Sequence, residues 1–315
     1  MWTSRFVRPP NPIQDRASAN LSMVRDNLPT KQMAPSDGFG TSSAGQLLID
    51  AERIDQQYWL DLWRYRELFF FLAWRDLLVR YKQTVVGISW SIVRPLITML
   101  ILTVVFGTLS KMPSGGSPYP LLVLCGMLPW NFFSAAISES GNSMVANSSL
   151  ISKIYFPRLI IGISSVITSF VDFLISALLM VGLMFWYRFI PPVSALLLPL
   201  FTLLALGASV GVGLWIAALM VKYRDFRFIV PFIVQFGLYV SPVGFKSSIV
   251  PDRFRLLYSL NPMVGIIDGF RWSLLGAQNS LYLPALAISI IEVVAIFISG
   301  VLYFRKTERT FADVI

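Results

Sequence analysis

The sequence predicts an all-α, polytopic membrane protein. Hydrophobic residues make up 55% of its 315 residues and charged residues only 14%, and the mean hydropathy is +0.66. Such values are typical of integral membrane proteins rather than of soluble globular domains. The apolar runs are too long for strands and show no period-two alternation, so they indicate helices.

Six apolar runs are each long enough to cross a hydrocarbon core of about 30 Å as a helix that rises about 1.5 Å per residue. These predicted spans lie near 88–110, 121–139, 159–187, 195–221, 228–245 and 283–304. Lys and Arg concentrate on the side of the spans that holds both chain ends, so the positive-inside rule predicts cytoplasmic termini. Because topology explains much of the net charge of +9, we expect no nucleic-acid partner.

Composition divides the chain into three regions. Residues 1–45 are rich in Pro, Ser, Asn and Asp and lack an apolar core, which predicts a disordered extension without a cleavable signal peptide. Residues 46–87 are predicted to form amphipathic helix that stays at the cytoplasmic surface. Residues 88–315 form the predicted transmembrane domain.

The residues of most enzymatic mechanisms are missing. The chain has no His and a single Cys, Cys125, which excludes His-based catalysis, histidine-ligand metal sites and an intrachain disulfide. It also lacks a G-x-x-x-x-G-K-[ST] phosphate-binding loop. The glycines of "GASVGVG", from Gly207 to Gly213, lie inside a predicted span and indicate close helix packing. We therefore expect no catalytic residue, metal or cofactor in this chain.

The stretch "RDLLVRYKQTVVGISWSIVRPLI", Arg75 to Ile97, sets cationic side chains directly against a span. Projected as a helix at about 100° per residue, its apolar side chains share one face: Trp74, Leu77, Leu78, Tyr81 and Val85. Polar and charged side chains occupy the rest of the circle: Arg75, Asp76, Arg80, Lys82 and Gln83. This pattern is typical of a helix in the membrane interface, with its cationic face toward headgroups or a soluble partner. The alternative is a solvated face ahead of a span.

Two acidic residues lie midway along predicted spans, Asp172 in the third and Glu292 in the sixth. A carboxylate at that depth costs about 2.5–3.5 kcal/mol, so we expect both to face the bundle interior, hydrogen-bonded or protonated. A proton relay is the functional alternative and would make the chain a proton-coupled carrier. A relay needs further titrating groups, and no His or Lys lies at matching depth, so we favour structural polar contacts.

Prolines interrupt the chain after the fifth predicted span. Ser241-Pro242, Pro251 and Asn261-Pro262 each end or kink a helix, because proline lacks an N–H and restricts the residue before it. The short helical stretches among these breaks carry too many aromatic and apolar residues for a free loop. We interpret them as re-entrant helices on the external side, with a plain external loop as the alternative.

Five segments together resemble one family of membrane proteins. They are "RDLLVRYKQTVVGISWSIVRPL", "GMLPWNFFSAAISESGNSMVANSSLISKIYFPR", "SPVGF", "LNPMVGIIDGFRW" and "YFRKTERTFADVI". In order and in topology they resemble the ABC-type polysaccharide and polyol-phosphate exporter permeases, from about residue 55 to the last residue. Members of that family export O-antigen, capsule or teichoic acid chains.

The resemblance implies partners and a location. Two copies of the chain would form a pore in the bacterial inner membrane above two nucleotide-binding ATPase subunits, which hold the ATP and Mg²⁺. The cargo would be a lipid-linked polysaccharide, and O-antigen is the polymer that we favour. Capsule, teichoic acid and a small lipid or drug remain alternatives, and surrounding membrane lipids are further partners.

The resemblance also assigns roles to residues. The interfacial helix before the first span becomes a gate helix that contacts the ATPase through Arg75, Asp76, Arg80, Tyr81 and Lys82. The connection between the second and third spans becomes a coupling helix, with its contacts at Ser152, Lys153 and Tyr155. The external gate holds Pro242, Asn261, Pro262 and Arg271. Arg94 becomes a candidate for the phosphates of the lipid, although it could equally snorkel to ordinary headgroups.

The predicted pore carries aromatic side chains. Phe232, Phe236 and Tyr239 recur at i, i+4 and i+7 and so share one helix face. Aromatic rings stack on the C–H faces of sugars without demanding one hydrogen-bond pattern, which suits a sliding polymer. Phe132 and Phe133 in the second span are further candidates. Ordinary helix packing or lipid exposure of the stripe is the alternative.

Overall fold

The computed structural model confirms the predicted fold class, because the residues that it describes form helices and no strand. Those residues are 51–82, 87–154, 156–276, 281–308 and 311, with the backbone alone at 51–57 and 87–88. The predicted disordered extension, 1–45, lies outside them.

Two helices precede the first span. Helix α1 covers Ala51–Arg64 and α2 covers Arg66–Lys82. Main-chain hydrogen bonds continue across the junction, from Tyr65 N to Asp61 O at 2.9 Å and from Phe69 N to Tyr65 O at 3.2 Å. The two helices are therefore joined by helical hydrogen bonds rather than by a loose linker.

Five helical stretches are long and apolar enough to cross a membrane: Ser89–Leu109, Tyr119–Ala146, Leu159–Trp186, Val193–Lys222 and Leu283–Glu308. The first comprises α3, Gly87–Leu102, and a π-helical continuation, Thr103–Leu109. The others contain α4, Tyr119–Ala146; α6, Leu159–Trp186; α7, Leu198–Lys222; and α11, Leu283–Glu308. These stretches correspond to five of the six predicted spans.

The remaining predicted span, 228–245, coincides with a shorter helix. Helix α8, Phe226–Val240, is apolar but has only 15 residues. It stops where Ser241 turns to an extended backbone ahead of Pro242, which is the restriction that a following proline imposes.

Three short helices complete the chain. They are α5, Ser148–Ile151; α9, Asp252–Tyr258; and α10, Pro262–Leu275. Asn261 caps α10 by accepting a hydrogen bond from Met263 N at 3.0 Å, and Pro262 occupies the first turn, where a missing N–H costs nothing. Helix α10 buries almost every residue, whereas α9 buries none.

Helix α4 is the centre of the bundle and packs against α6, α7 and α10. Its run from Leu121 to Trp130 is buried without a break. Helix α7 in turn lies close against α11. An added Cβ at Gly211 would come within 2.8 Å of the Phe297 main chain, which is the close packing predicted for "GASVGVG".

Candidate functional site

A groove of about 1080 Å³, lined by apolar as well as polar side chains, opens between α2, α3, α4, α6 and α8. The polar and charged residues that line it are Arg80, Tyr81, Ser91, Arg94, Thr98, Asn131, Ser134, Ser138, Glu139, Ser169, Asp172, Ser176 and Gln235. Polar side chains at membrane depth are costly and normally face a partner or a water-filled cavity. The groove is therefore the candidate functional site.

Helix α4 supplies a polar stripe along the groove. Asn131, Ser134, Ser138 and Asn142 recur at three- and four-residue spacing and so share a face. Ser134 donates to Asn131 O at 3.1 Å, Ser138 to Ser134 O at 2.9 Å and Asn142 to Ser138 O at 2.9 Å. Main-chain oxygens of the same helix accept these hydrogen bonds, so the polar side chains are not left with unpaired donors. Their oxygen lone pairs remain available to a ligand. This stripe was not among the predicted site residues, although its helical spacing is visible in "NFFSAAISESGN".

Asp172 joins α6 to α2 and α3 near one end of the groove. Arg80 Nη2 lies 2.6 Å from Asp172 Oδ2, and Arg80 Nη1 lies 3.3 Å from Glu139 Oε1 on α4. The Tyr81 hydroxyl donates to Asp172, and so does Ser91 Oγ at 3.1 Å. These five residues are called the Asp172 network below.

The environment of Tyr81 keeps its hydroxyl protonated. Burial, reinforced by the hydrogen bond to Asp172 and by the negative charge of that carboxylate, raises the pKa of Tyr81 to about 12. Tyr81 therefore stays a hydrogen-bond donor throughout the neutral range.

The two predicted intramembrane acids have different surroundings. Asp172 makes the polar contacts that we expected of it. Glu292 does not line the groove, and its Oε2 is buried without a hydrogen-bond partner among the described residues. The structure thus does not bring the two acids together, which leaves the proton-relay alternative without support.

Helix α2 buries Leu72 and Ala73 and, toward its C-terminal end, also places charged side chains against the bundle. Arg75 pairs with Asp76 at 2.7 Å and donates to Asn147 Oδ1 at 2.7 Å, at the junction of α4 and α5. The large apolar residues Phe71 and Trp74 are exposed instead. Arg75 and Arg80 therefore make contacts within the single chain, and their predicted contact with headgroups or a soluble partner stays a prediction.

Hydrogen-bond acceptors on other elements explain these contacts, because the tertiary fold brings Asn147 to Arg75 and brings Glu139 and Asp172 to Arg80. Lys82 is exposed at the end of α2. Contact of these α2 residues with an ATPase stays a prediction.

The connection 148–157 projects from the bundle. Ser152, Lys153 and Ile154 are exposed between the buried residues Ile151 and Phe156. Tyr155, the third predicted coupling residue, lies outside the described residues. The predicted coupling residues Ser152 and Lys153 are thus placed at an accessible tip, which leaves their role as partner contacts a prediction.

At the opposite end of α4, Arg271 is 1% exposed and donates hydrogen bonds to three main-chain oxygens. Its guanidinium donates to Phe245 O at 2.7 Å, to Val243 O at 2.8 Å and to Leu122 O at 3.3 Å. These contacts, called the Arg271 cage below, tie the connection between α8 and α9 to α4 and α10.

Other residues of the predicted external gate reinforce the cage. Asn261 Nδ2 donates to Ser241 Oγ at 3.0 Å, and Pro242 is buried beside it. Ser247 donates to Asp268 of α10. Among the predicted gate residues, Pro242 and Arg271 are thus buried and Asn261 and Pro262 are half-buried, whereas α9 buries no residue.

The predicted pore aromatics are placed in two ways. Phe232, Phe236 and Tyr239 are 69%, 60% and 61% exposed, and the rings of Phe232 and Phe236 stack at 6.2 Å. The groove is lined by the adjoining face of α8, which carries Pro231, Val234, Gln235 and Leu238. The aromatic stripe therefore lies beside the groove in the single chain.

Phe132 and Phe133 differ from the stripe. Phe132 lines the groove but is 1% exposed, and its ring centre lies 5.6 Å from that of Phe173, so its role in the pore stays a prediction. Phe133 is partly buried, and its ring centre lies 5.9 Å from that of Trp130.

Arg94, the predicted contact of the lipid phosphates, reaches the groove with an exposed side chain. No group of three His, Cys, Asp or Glu that could hold a metal occurs in the described part of the chain.

Comparison with known proteins matches residues 67–275 to the ABC-2 type transporter family. The O-antigen export system permease protein RfbA of Klebsiella pneumoniae is 27% identical over 242 residues, 76% of this chain and 92% of that protein. The protein of the same name from Myxococcus xanthus is 26% identical over 251 residues, 79% of this chain and 96% of that protein.

The polysialic acid transport protein KpsM of Escherichia coli is 21% identical over 235 residues, 74% of this chain and 91% of that protein. The family match covers the groove, the Asp172 network and the Arg271 cage. Since it extends over most of the sequence, this chain belongs to the ABC-2 type transporter family.

Proposed function

We propose that this chain is the transmembrane permease subunit of an ABC transporter that exports a lipid-linked polysaccharide, with O-antigen as the favoured polymer. The relatives named for O-antigen export and for polysialic acid transport support a polysaccharide cargo. The observation that carries the proposal is the polar groove, which runs beside the most buried helix of a bundle built for a membrane.

The lining of the groove suits a moving polymer of sugars. Ser134 and Ser138 already donate to their own helix, so they offer a hydroxyl-rich cargo weak and interchangeable contacts. A cargo that must advance needs many such contacts rather than one strong site. The exposed aromatic stripe of α8 adds faces on which sugar rings can stack.

We further propose that the pore is completed by a second copy of the chain. The exposed stripe Phe232, Phe236 and Tyr239 is an apolar surface beside a polar groove, as expected of a wall shared by two copies. Helix α8 and the residues after it, up to 245, would make the sixth crossing, and α9 and α10 would dip in from the external side. Both termini would then be cytoplasmic, in a bacterial inner membrane.

The energy source lies in a separate subunit under this proposal. The exposed tip Ser152, Lys153 and Ile154 would dock on an ATPase subunit that holds ATP and Mg²⁺, while this chain holds no cofactor. Arg94, exposed in the groove near the Asp172 network, would meet the phosphates of the lipid carrier.

The test uses cells that lack this gene and are complemented with the full chain. Wild-type chain should restore surface polysaccharide. The double variant Ser134→Leu with Ser138→Leu should lower surface polysaccharide at least about tenfold. Its two bulky apolar side chains replace hydroxyls that contact the cargo, and the loss of one hydrogen bond has an effect of this order. Membrane level and co-purification of the ATPase subunit should stay normal.

Val181→Phe, on the exposed side of α6, is the matched control for added bulk and should export normally. Normal export by the double variant would overturn the groove as the path. Failure of the wild-type chain to restore any surface polysaccharide would overturn the proposed cargo.

A further inference from the structure

The last turn of α11 meets two elements that are far from it in sequence. Phe311 is fully buried and packs edge-on against Phe304 at 5.4 Å. The Arg158 guanidinium lies 5.9 Å from the centre of the Phe311 ring and donates a hydrogen bond to the main-chain oxygen of Glu308. The start of α6 is thereby attached to the end of α11.

The same turn also holds α1. The Tyr58 hydroxyl donates to Glu308 Oε2 at 3.0 Å. The Arg305 guanidinium lies 4.6 Å from the centre of the Tyr58 ring and 5.4 Å from that of Trp59. Burial and the neighbouring Glu308 carboxylate raise the pKa of Tyr58, so this hydroxyl remains a donor.

The residues Tyr58, Arg158, Arg305, Glu308 and Phe311 form what is called the C-terminal cluster below. Arg158 comes directly after Pro157, at the root of the connection whose exposed tip is 152–154. The cluster therefore ties the root of that connection to α1. Helical hydrogen bonds across Tyr65 join α1 to α2, and α2 ends in Arg80 and Tyr81 of the Asp172 network.

We infer that the C-terminal cluster is a positioning device, which passes a displacement of the 148–157 connection through α1 and α2 to the mouth of the polar groove. The inference rests on the proposed function in requiring that an ATPase partner moves the exposed tip. Its residues touch neither cargo nor nucleotide and act through the helices that they hold.

A positioning role differs from a merely stabilising one in what its loss changes. If the cluster only stabilised the fold, its variants would lose assembled complex, ATP hydrolysis and export in proportion. If it transmits movement, its variants should assemble and hydrolyse ATP while export falls. The ratio of export to hydrolysis is therefore the informative quantity.

The experiment compares Arg158→Met and Tyr58→Phe with the wild type, using the full chain in complex with its ATPase subunits. Arg158→Met keeps the aliphatic stem and removes the guanidinium, and Tyr58→Phe removes a single hydroxyl. Export by Arg158→Met should fall about tenfold, which is the effect expected from losing one hydrogen bond of a charged donor. Its ATP hydrolysis in lipid nanodiscs should stay within about twofold of wild type. Tyr58→Phe should shift the ratio in the same direction by less.

Lys306→Met is the matched control, because Lys306 is exposed on the same turn of α11. It should change neither quantity. Proportionate loss of complex, hydrolysis and export in Arg158→Met, or an unchanged ratio in both cluster variants, would overturn the inference.

A second measurement is independent of the cargo. Spin labels at Lys82→Cys, on the exposed end of α2, and Val181→Cys, on the exposed side of α6, report the position of α2 in the nanodisc complex. Nucleotide should change their distance in the otherwise wild-type chain and leave it unchanged with Arg158→Met. A nucleotide-dependent shift that survives Arg158→Met would overturn the inference, whereas an error in the proposed cargo would leave this result intact.

Discussion

Two arginines at opposite ends of α4 are bound in different ways. Arg271 is 1% exposed and donates to the main-chain oxygens of Leu122, Val243 and Phe245. The Arg80 side chain is 33% exposed and is paired with the carboxylates of Asp172 and Glu139 on two different helices. One arginine thus binds fixed backbone, and the other binds side chains beside an open groove.

The difference in partners predicts a difference in behaviour. A main-chain oxygen cannot titrate or rotate away, and each one left unpaired in a buried site costs about 1–3 kcal/mol. The Arg271 cage should therefore be a permanent support of the connection between α8 and α9. Carboxylate side chains have other rotamers and, beside the groove, access to water. The Asp172 network should therefore be able to release α2.

The largest effect should follow from Arg271→Met. This change removes the guanidinium donor from the main-chain oxygens of Val243, Phe245 and Leu122. The Leu122 oxygen lies inside α4 and keeps its helical partner, so we expect a loss of about 3 kcal/mol in the free energy of unfolding. The measurement is the amount of chain in membranes, together with the thermal unfolding of the purified complex. Arg253→Met on exposed α9 should change either quantity little, and a stable Arg271→Met chain would show that the cage is not a permanent support.

A smaller loss should follow from Asp172→Asn. The variant keeps a hydrogen-bonding amide but removes the charge that Arg80 meets at 2.6 Å, so a loss of about 2 kcal/mol is expected. Glu139→Gln should cost less than about 1 kcal/mol, because its contact is 3.3 Å long and half exposed. Thermal unfolding of both variants tests this order, and an equal or inverted pair of losses would contradict it.

Exchanging the charges of Arg80 and Asp172 tests whether Arg80, unlike Arg271, depends on a side-chain partner. Arg80→Asp alone and Asp172→Arg alone place like charges together, and both should reduce export. The double variant restores opposite charges and should recover at least about half of the lost export, since the interaction is between side chains. Surface polysaccharide is the measurement. Recovery no better than in the single variants would indicate that α2 depends on the geometry of Arg80 rather than on its charge.

The smallest effect should follow from Tyr81→Phe, which removes one donor to Asp172 and leaves Arg80 and Ser91 in place. We expect a loss of about 1 kcal/mol at neutral pH. The folded pKa of Tyr81, about 12, lies above its ordinary value of 10.0, so its contribution is complete below pH 10 and is lost as the pH rises through 12.

The measurement for this variant is the difference in unfolding free energy between wild type and Tyr81→Phe as a function of pH. The difference should be constant up to about pH 10 and should shrink above it. A difference that grows with pH in that range would contradict the assigned hydrogen bond.

The helical class and the long spans could be predicted because membrane crossing is a local property. About 20 consecutive apolar residues suffice for a span, whatever the neighbouring helices do. The same reasoning failed to set the length of α8, since Ser241-Pro242 ends the helix at Val240 although the apolar run continues. The cost of a buried carboxylate is also local, which is why Asp172 could be expected to find polar contacts.

The partners of these groups depend on which helix faces meet, and single-helix patterns do not contain that information. Arg80 and Asp172 lie 92 positions apart, and the charged residues near the end of α2 find partners only because the fold brings Glu139, Asn147 and Asp172 to them. Phe132 resembles the exposed aromatics of α8 in sequence, yet Phe170 and Phe173 bury it. The length of an apolar helix is set by residues that are neighbours in the sequence. The partner of each charge and each aromatic ring is set by the packing of helices that are far apart in the sequence.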